Sequence, residues 1–276
     1  MRLTALFALL LAALSLGLAA CGDDDDDDGG GSDQPPAFEV EINDDGVTAP
    51  ETAGAGALEL RVSNTGKRDH SAQVVAIGDG HSADEVLAAG EEWGDKGGLL
   101  PEWIEFVGGV GTTKGGGTGT AVVELPAGEY GVFDIDGEAA DAFAAFTVEG
   151  DDGGGLPDTD SRVEAVDYSF NAEGLQAGSQ SVTFENAGEE PHHLVGAPLL
   201  PGKTEADVKK FVETEKGESP VDESKFFNTA IVSGGDSAVV DLRLESGDYA
   251  FLCFIPDREG GPPHVAKGMV AVVPVE

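Results

Sequence analysis

The sequence predicts an all-β protein in which two Greek-key β-sandwiches with short helices follow one another in tandem. Three observations lead to this fold class. Apolar and polar residues alternate at 38–42, 58–62 and 166–170, a pattern typical of half-buried strands. The chain of 276 residues contains 41 glycines, which indicates many turns. A set of motifs also occurs twice in the same order, which indicates a repeated structural unit.

The clearest repeated motif is N-x-G-x-x-x-H, which ends at His70 in the first copy and at His192 in the second. A short helix is predicted after each copy, because residues 82–85 and 204–207 have the spacing of a capping box. Each copy then reaches a strand, a turn and a strand that carries a tyrosine. The repeat predicts two related domains.

The N-terminus is predicted to direct export. Arg2 precedes an apolar run that ends in Leu-Ala-Ala-Cys21, which resembles the lipobox of bacterial lipoproteins. The resemblance implies cleavage before Cys21 and lipidation of its thiol. An uncleaved membrane helix is the alternative, since 18 apolar residues nearly span a bilayer. The small residues before Cys21 and the polar segment after it favour processing, and hence a lipid anchor on the extracytoplasmic face of the cell membrane.

Composition divides the rest of the chain. Six consecutive aspartates at 23–28 and the glycines after them indicate a solvated tether, and a second segment poor in apolar residues begins near residue 150. The predicted regions are a signal peptide at 1–20, a lipidated tether at 21–36, a first β domain at 37–149, a linker at 150–162 and a second β domain at 163–276.

The net charge of −38 excludes several partners. Such an acidic surface repels nucleic acid and anionic lipid headgroups, so binding through phosphate contacts is not expected. Residues 197–204 fit a loose phosphate-binding pattern, but two prolines interrupt it and no βαβ unit surrounds it. We therefore predict neither a nucleic-acid nor a nucleotide partner.

A candidate metal site lies in the second half. Cys253 is followed by Pro-His264 and Gly-Met269, and a Pro-His192 pair occurs upstream. Once Cys21 is lipidated, Cys253 has no disulfide partner in the chain, and a metal that binds it as a thiolate would protect it. A thiolate, two imidazoles and a thioether form a soft ligand set suited to copper. The sequence predicts His192, Cys253, His264 and Met269 as ligands.

This arrangement resembles the blue, type 1 copper site of the cupredoxins, the family of plastocyanin and azurin. The resemblance extends over residues 166–276, and over the first half only as architecture. It implies one mononuclear copper, one-electron transfer, and a position of His264 near solvent as the exit for the electron. The acidic surface would steer the protein towards a basic redox partner such as a c-type cytochrome.

His193 is an alternative to His192, because adjacent strand residues point to opposite faces and one of the two faces the metal. His192 matches the family frame N-x-G-x-x-P-H. His193 falls where plastocyanin-like proteins carry an asparagine whose amide helps to fix the loop around the sulfur. The ten-residue loop between Cys253 and His264 is also longer than in plastocyanin.

The first half lacks the ligand set. When Tyr130 is aligned with Tyr249, Asp134 falls opposite Cys253, and His70 is left as an ordinary, partly buried or surface histidine without partners. Five histidines in the chain and the absence of a His-x-His pair argue against a multicopper oxidase. We therefore predict that the protein is not an enzyme. The alternatives to an electron carrier are a copper-handling lipoprotein and a metal-free β-sandwich binding module.

Overall fold

The computed structural model describes residues 34–94, 99–135, 143–151 and 153–276. The predicted leader, Cys21 and the aspartate tether lie outside these residues. Residues 34–276 form a compact unit. Within the described ranges, no helix is both long enough and apolar enough to cross a bilayer.

Strands dominate both halves of this unit. The first half, residues 34–149, contains β1 (Ala37–Asn43), β2 (Gly46–Thr48), β3 (Thr52–Gly54), β4 (Gly56–Asn64), β5 (His70–Ile77), α1 (Ala83–Gly94), β6 (Ile104–Thr113), β7 (Thr118–Leu125), β8 (Gly128–Phe133) and β9 (Phe143–Glu149). The second half, residues 153–276, contains β10 (Ser161–Val166), β11 (Ser169–Glu173), β12 (Gly178–Asn186), β13 (Val195–Pro198), α2 (Glu205–Thr214), β14 (Phe227–Asn228), β15 (Ser237–Leu244), β16 (Gly247–Leu252) and β17 (Val270–Val275). Two short 3₁₀ helices, Glu223–Lys225 and His264–Lys267, also lie in the second half.

The two halves share one sheet. Its strand order is β11-β10-β12-β15-β7-β4-β1-β2, so the antiparallel pair of β15 and β7 joins four strands of each half. A second layer covers each half, β3-β9-β8-β5-β6 in the first and β14-β13-β16-β17 in the second. The prediction of an all-β fold with tandem sandwiches and short helices is confirmed.

The strands pair in the same pattern in both halves. β1 runs parallel to β4, which is antiparallel to β7; β10 runs parallel to β12, which is antiparallel to β15. The predicted helices also occur. At the start of α2, Thr204 and Asp207 form the reciprocal hydrogen bonds of a capping box, and Ser82 and Glu85 pair in the same way before α1.

The structure corrects one predicted strand. Residues 166–170 do not form a continuous strand, because the chain turns at Asp167 and Tyr168 between β10 and β11. Val166 then pairs with Ser169 across the hairpin. Alternation continues through a tight hairpin, so the sequence pattern did not reveal the turn. The turn matters because it places Asp167 beside the candidate metal centre.

Gln73 links the halves at a fully buried position of β5. Its Oε1 accepts a hydrogen bond from the Ile231 N–H at 2.7 Å, and its Nε2 donates to the Ile231 carbonyl at 3.0 Å. The same amide nitrogen donates to the carbonyl of Gly108 at 3.0 Å. One side chain therefore satisfies backbone groups of both halves, which would otherwise be buried without partners.

We expect Gln73→Leu to lower the free energy of unfolding by about 3 kcal/mol, because buried polar groups left unsatisfied cost about 1–3 kcal/mol each. Chemical denaturation measures the change, and Gln176→Leu, at an exposed position, is the control. Faster hydrogen exchange at the Ile231 amide would place the loss at the junction. Equal stabilities of the two variants would contradict this role of Gln73.

Candidate metal centre

Three predicted ligand residues meet at one end of the second sandwich. His192 Nδ1 lies 3.0 Å from His264 Nδ1, and Cys253 Sγ lies 3.8 Å and 3.4 Å from these two nitrogens. The three residues are fully buried. They form a group whose ligand atoms are close enough together to hold a single metal ion.

Backbone structure positions each of these side chains. His192 precedes β13 and exchanges two backbone hydrogen bonds with Val232, at 3.0 and 2.8 Å. Cys253 directly follows β16, and His264 opens the 3₁₀ helix before β17. The Cys253 carbonyl accepts a hydrogen bond from the Val265 N–H at 2.7 Å, which closes the ligand loop.

Two aspartates determine which nitrogen of each imidazole carries hydrogen. His192 Nε2 lies 2.8 Å from Asp167 Oδ1, and His264 Nε2 lies 2.9 Å from Asp257 Oδ1. An ionised carboxylate only accepts hydrogen bonds, so each Nε2 carries the hydrogen and each neutral ring directs an Nδ1 lone pair inward. Two lone pairs 3.0 Å apart repel each other unless a cation lies between them. Histidines that bind a metal typically donate their other ring N–H to a carboxylate in this way.

Burial keeps the protein groups of the cluster neutral when no metal is present. Burial raises the pKa of the Cys253 thiol to about 12. Burial, together with the nearby His192, lowers the pKa of His264 to about 4, and burial also lowers the pKa of His192. Two neutral imidazoles and one thiol suit a soft metal that replaces the thiol proton, and the copper expected from the sequence fits this donor set.

His193 lies outside the cluster of ligand atoms. Its Nε2 accepts a hydrogen bond from the Phe254 N–H at 2.9 Å, directly after the cysteine. The backbone N–H of His193 also lowers the pKa of Cys253 by hydrogen bonding to the thiolate form. His193 thus ties the upstream segment to the cysteine loop, and His192 supplies the nitrogen that faces the sulfur.

Met269 is fully buried one residue before β17. Its N–H donates to the His264 carbonyl at 3.0 Å, and it follows Gly268, whose φ of +100° ends the 3₁₀ helix. A residue with a side chain would be strained at this φ. The glycine thus fixes where the chain turns from the histidine towards the methionine.

The prediction that His264 lies near solvent is wrong. Its ring is fully buried because Asp257 covers Nε2. Tyr168 donates to the same Asp257 oxygen at 2.9 Å, and Lys267 contacts both Tyr168, at 3.0 Å, and the carboxylate. Asp257 is itself a residue that the sequence analysis missed. The Pro-Asp-Arg-Glu-Gly stretch around Asp257 is typical of a turn, but it does not indicate that the aspartate contacts His264.

In the first half, a histidine between two aspartates occupies the position of the candidate metal site. His70 is fully buried, which corrects the expectation of a partly buried or surface histidine. Its Nδ1 lies 2.6 Å from Asp134 Oδ2 and its Nε2 lies 3.2 Å from Asp44 Oδ1. Asp134 thus stands where Cys253 stands in the second half, as the alignment predicted, and Asp44 stands where Asp167 does.

These contacts raise the pKa of His70 above its usual value. Burial is the largest influence and favours the neutral ring, but the hydrogen bonds to Asp44 and Asp134 and the charge of Asp134 outweigh it. Both ring nitrogens face carboxylates, so both carry hydrogens in the imidazolium form. The first half therefore holds a proton where the second half has its inward-facing lone pairs.

The raised pKa makes stability depend on pH. Protonation of His70 stabilises the fold fully below the unfolded pKa, and this contribution is lost as pH rises through the higher folded pKa. We expect Asp134→Asn to lower the free energy of unfolding by about 3 kcal/mol at pH 6, because one partner of a buried pair is removed.

The difference between Asp134→Asn and the wild type should shrink as the pH rises. Denaturation at several pH values measures it, and Asp248→Asn, at an exposed position of β16, is the control. A difference independent of pH would contradict the charged His70 pair.

Comparison with known proteins gives neighbours in structure alone. No protein-family profile and no curated protein sequence matches the chain. Auracyanin A, a blue copper protein from Chloroflexus aurantiacus, is 19% identical and matches 41% of this chain and 99% of its own, with a TM-score of 0.30. The blue copper oxidase from Nitrosomonas europaea is 11% identical and matches 88% of this chain and 86% of its own, with a TM-score of 0.26.

A copper-containing nitrite reductase from Thermus scotoductus also matches 87% of this chain and 61% of its own, at 10% identity and a TM-score of 0.22. These two neighbours, which extend over most of the chain, are enzymes, so the prediction that this protein is not an enzyme does not stand. The β fold and the His–Cys–His cluster confirm the resemblance to cupredoxins that the sequence predicts.

Proposed function

We propose that this protein is an exported blue-copper protein that transfers single electrons at one mononuclear copper. The residues that would hold the copper in this proposal are His192, Cys253, His264 and Met269. The observation that carries the proposal is the arrangement of two Nδ1 atoms and one Sγ atom within 3.8 Å of one another, all buried. Two histidines and a cysteine with a distant methionine form the ligand set of electron-transfer copper sites.

The protein groups around the ligands suit electron transfer because they hold the donor atoms in place. Asp167 and Asp257 fix the two imidazole rings, and backbone hydrogen bonds fix the positions of His192 and Cys253. When bound, copper supplies a one-electron couple between its cupric and cuprous states. Donor atoms that keep their positions in both states keep the reorganisation on electron transfer small, since neither ring has to rotate.

We further propose a membrane-anchored location and a redox protein as partner. The anchor rests on the lipobox-like segment that ends at Cys21, which lies outside the described residues. The net charge of −38 supports a basic partner such as a c-type cytochrome, because opposite charge accelerates encounter. Copper handling without redox exchange and metal-free binding are the outcomes that would replace this proposal.

The ligand assignment predicts a specific visible spectrum. We expect the full-length protein loaded with cupric ion to show an intense band in the red part of the visible spectrum, because a thiolate binds the metal. Cys253→Ala and His192→Ala should lose the band, and His193→Ala should keep it, since His193 lies outside the cluster. Tight copper binding without the band would indicate copper handling, and no binding would leave a metal-free module.

Function at the loaded site is measured by two kinds of assay. Stopped-flow mixing with a reduced c-type cytochrome tests electron exchange at low and high salt, where a steered encounter slows as salt rises. Oxygen and nitrite consumption with an electron donor tests the enzymes found among the structural neighbours. An electron-carrier role requires fast exchange with the cytochrome, and exchange no faster than with Cys253→Ala would contradict it.

Copper affinity should rise with pH. The Cys253 thiol, with its pKa near 12, must release its proton when it binds the metal, while His264, with its pKa near 4, is already neutral above pH 5. We therefore expect the apparent association constant to rise about tenfold per pH unit between pH 5 and pH 8, where one proton is released. Titration against a chelator of known pH dependence measures it, and a flat profile would contradict thiolate ligation.

A further inference from the structure

The ten-residue loop at 254–263, which joins two of the ligands, lies against the first half of the chain. The indole Nε1 of Trp93, at the end of α1, donates to the carbonyl of Asp257 at 2.9 Å. The N–H of Leu100 donates to the carbonyl of Arg258 at 2.7 Å. Backbone groups in the middle of the loop are therefore satisfied by the half that lacks the metal ligands.

The side chain of Arg258 extends from this loop across the junction and is only 19% exposed. One guanidinium nitrogen donates to the carbonyls of Ile104 and Pro101 at 3.0 and 3.3 Å. The other lies 2.5 Å from Glu105 Oε2 and 3.1 Å from Ser233 Oγ. A planar fork with several acceptors fixes direction as well as distance, which a lysine ammonium does not do.

These contacts lead directly to a candidate ligand. Asp257, whose carbonyl receives the Trp93 indole, uses its carboxylate to hold Nε2 of His264 at 2.9 Å. The backbone N–H of Arg258 donates to Glu190 Oε2 at 2.7 Å, two residues before the other candidate histidine. Asp257 and Arg258, next to the turn of the loop, are thus held by the first half and by Glu190 of the upstream segment.

The other candidate histidine depends on the first half as well. His192 pairs through its backbone with Val232, and the adjacent Ile231 is held by the buried amide of Gln73 in β5. The Cys253–His264 loop therefore contacts the first half directly, and the His192 segment is linked to it through residues 231–232.

We propose that the first half supports the metal centre of the second half, with Trp93 and Arg258 as positioning residues for His264. This inference rests on the proposed copper site and adds a role for the half without ligands. Trp93 and Arg258 fix the loop backbone at Asp257, and Asp257 fixes the imidazole ring. When these contacts are removed, the ring can rotate and the metal is held less firmly.

Conservative variants test the proposal in the full-length protein. Trp93→Phe removes the indole N–H and keeps an aromatic ring, and Arg258→Lys keeps the charge and removes the fork. Trp103→Phe and Arg162→Lys are the matched controls, since Trp103 stacks on His81 and Arg162 pairs with glutamates at the surface. Each protein is loaded with cupric ion, and release to a chelator, the visible spectrum and the thermal midpoint are recorded.

We expect Trp93→Phe and Arg258→Lys to release copper about tenfold faster than the wild type and both controls, the lower end of the effect of residues that hold a metal ligand. The visible spectrum should shift while the thermal midpoint stays above the assay temperature. Copper release and spectra equal to the wild type in both variants would overturn the proposal.

Hydrogen exchange in the copper-free protein separates this proposal from the proposed function. If the wild type binds no copper, the copper site is disproved. Faster exchange at the amides of His264 and Val265 in both variants would still show that the first half positions the loop. Unchanged exchange at these amides would overturn the support role whatever the protein does with copper.

Discussion

The arrangement of the second half depends on two carboxylates that hold the outer nitrogens of two histidines. Asp167 and Asp257 each accept one Nε2–H, and this leaves two Nδ1 lone pairs directed at each other beside a buried sulfur. Burying two lone pairs that face each other without a hydrogen-bond donor or a cation is unfavourable. A cation bound between them would remove this cost. The hairpin turn, the cysteine loop and the junction between the halves all serve to place these two acids.

The first half has a similar arrangement around His70, but a different group faces the inner nitrogen. His70 also has an acid at its outer nitrogen, Asp44, but its inner nitrogen faces Asp134. A carboxylate at the position of the thiol turns the site into an ion pair that a proton completes. A cysteine-to-aspartate difference between repeats thus separates a site that needs a metal from one that is satisfied without it.

The sequence was sufficient for features that follow from local patterns. Alternating residues predicted strands such as β1 and β4, the capping boxes predicted both helices, and the repeated N-x-G-x-x-x-H motif led to His192. It did not reveal Asp167 or Asp257, because each lies in a turn and reaches its histidine through the fold. The burial of His264 and of His70 was missed for the same reason. Neighbours supplied by distant segments, such as Tyr168 and Asp134, determine the surroundings of both rings.

The shared sheet has a consequence for the chain as a folding unit. β15 of the second half is hydrogen-bonded on one side to β12 and on the other to β7, with Val240 opposite Ala121. Cutting the chain between the halves would turn an interior strand into an open edge, and open apolar edges recruit other chains and aggregate. Each half therefore covers an edge of the other, and loss of either half would leave the remaining one open to misassembly.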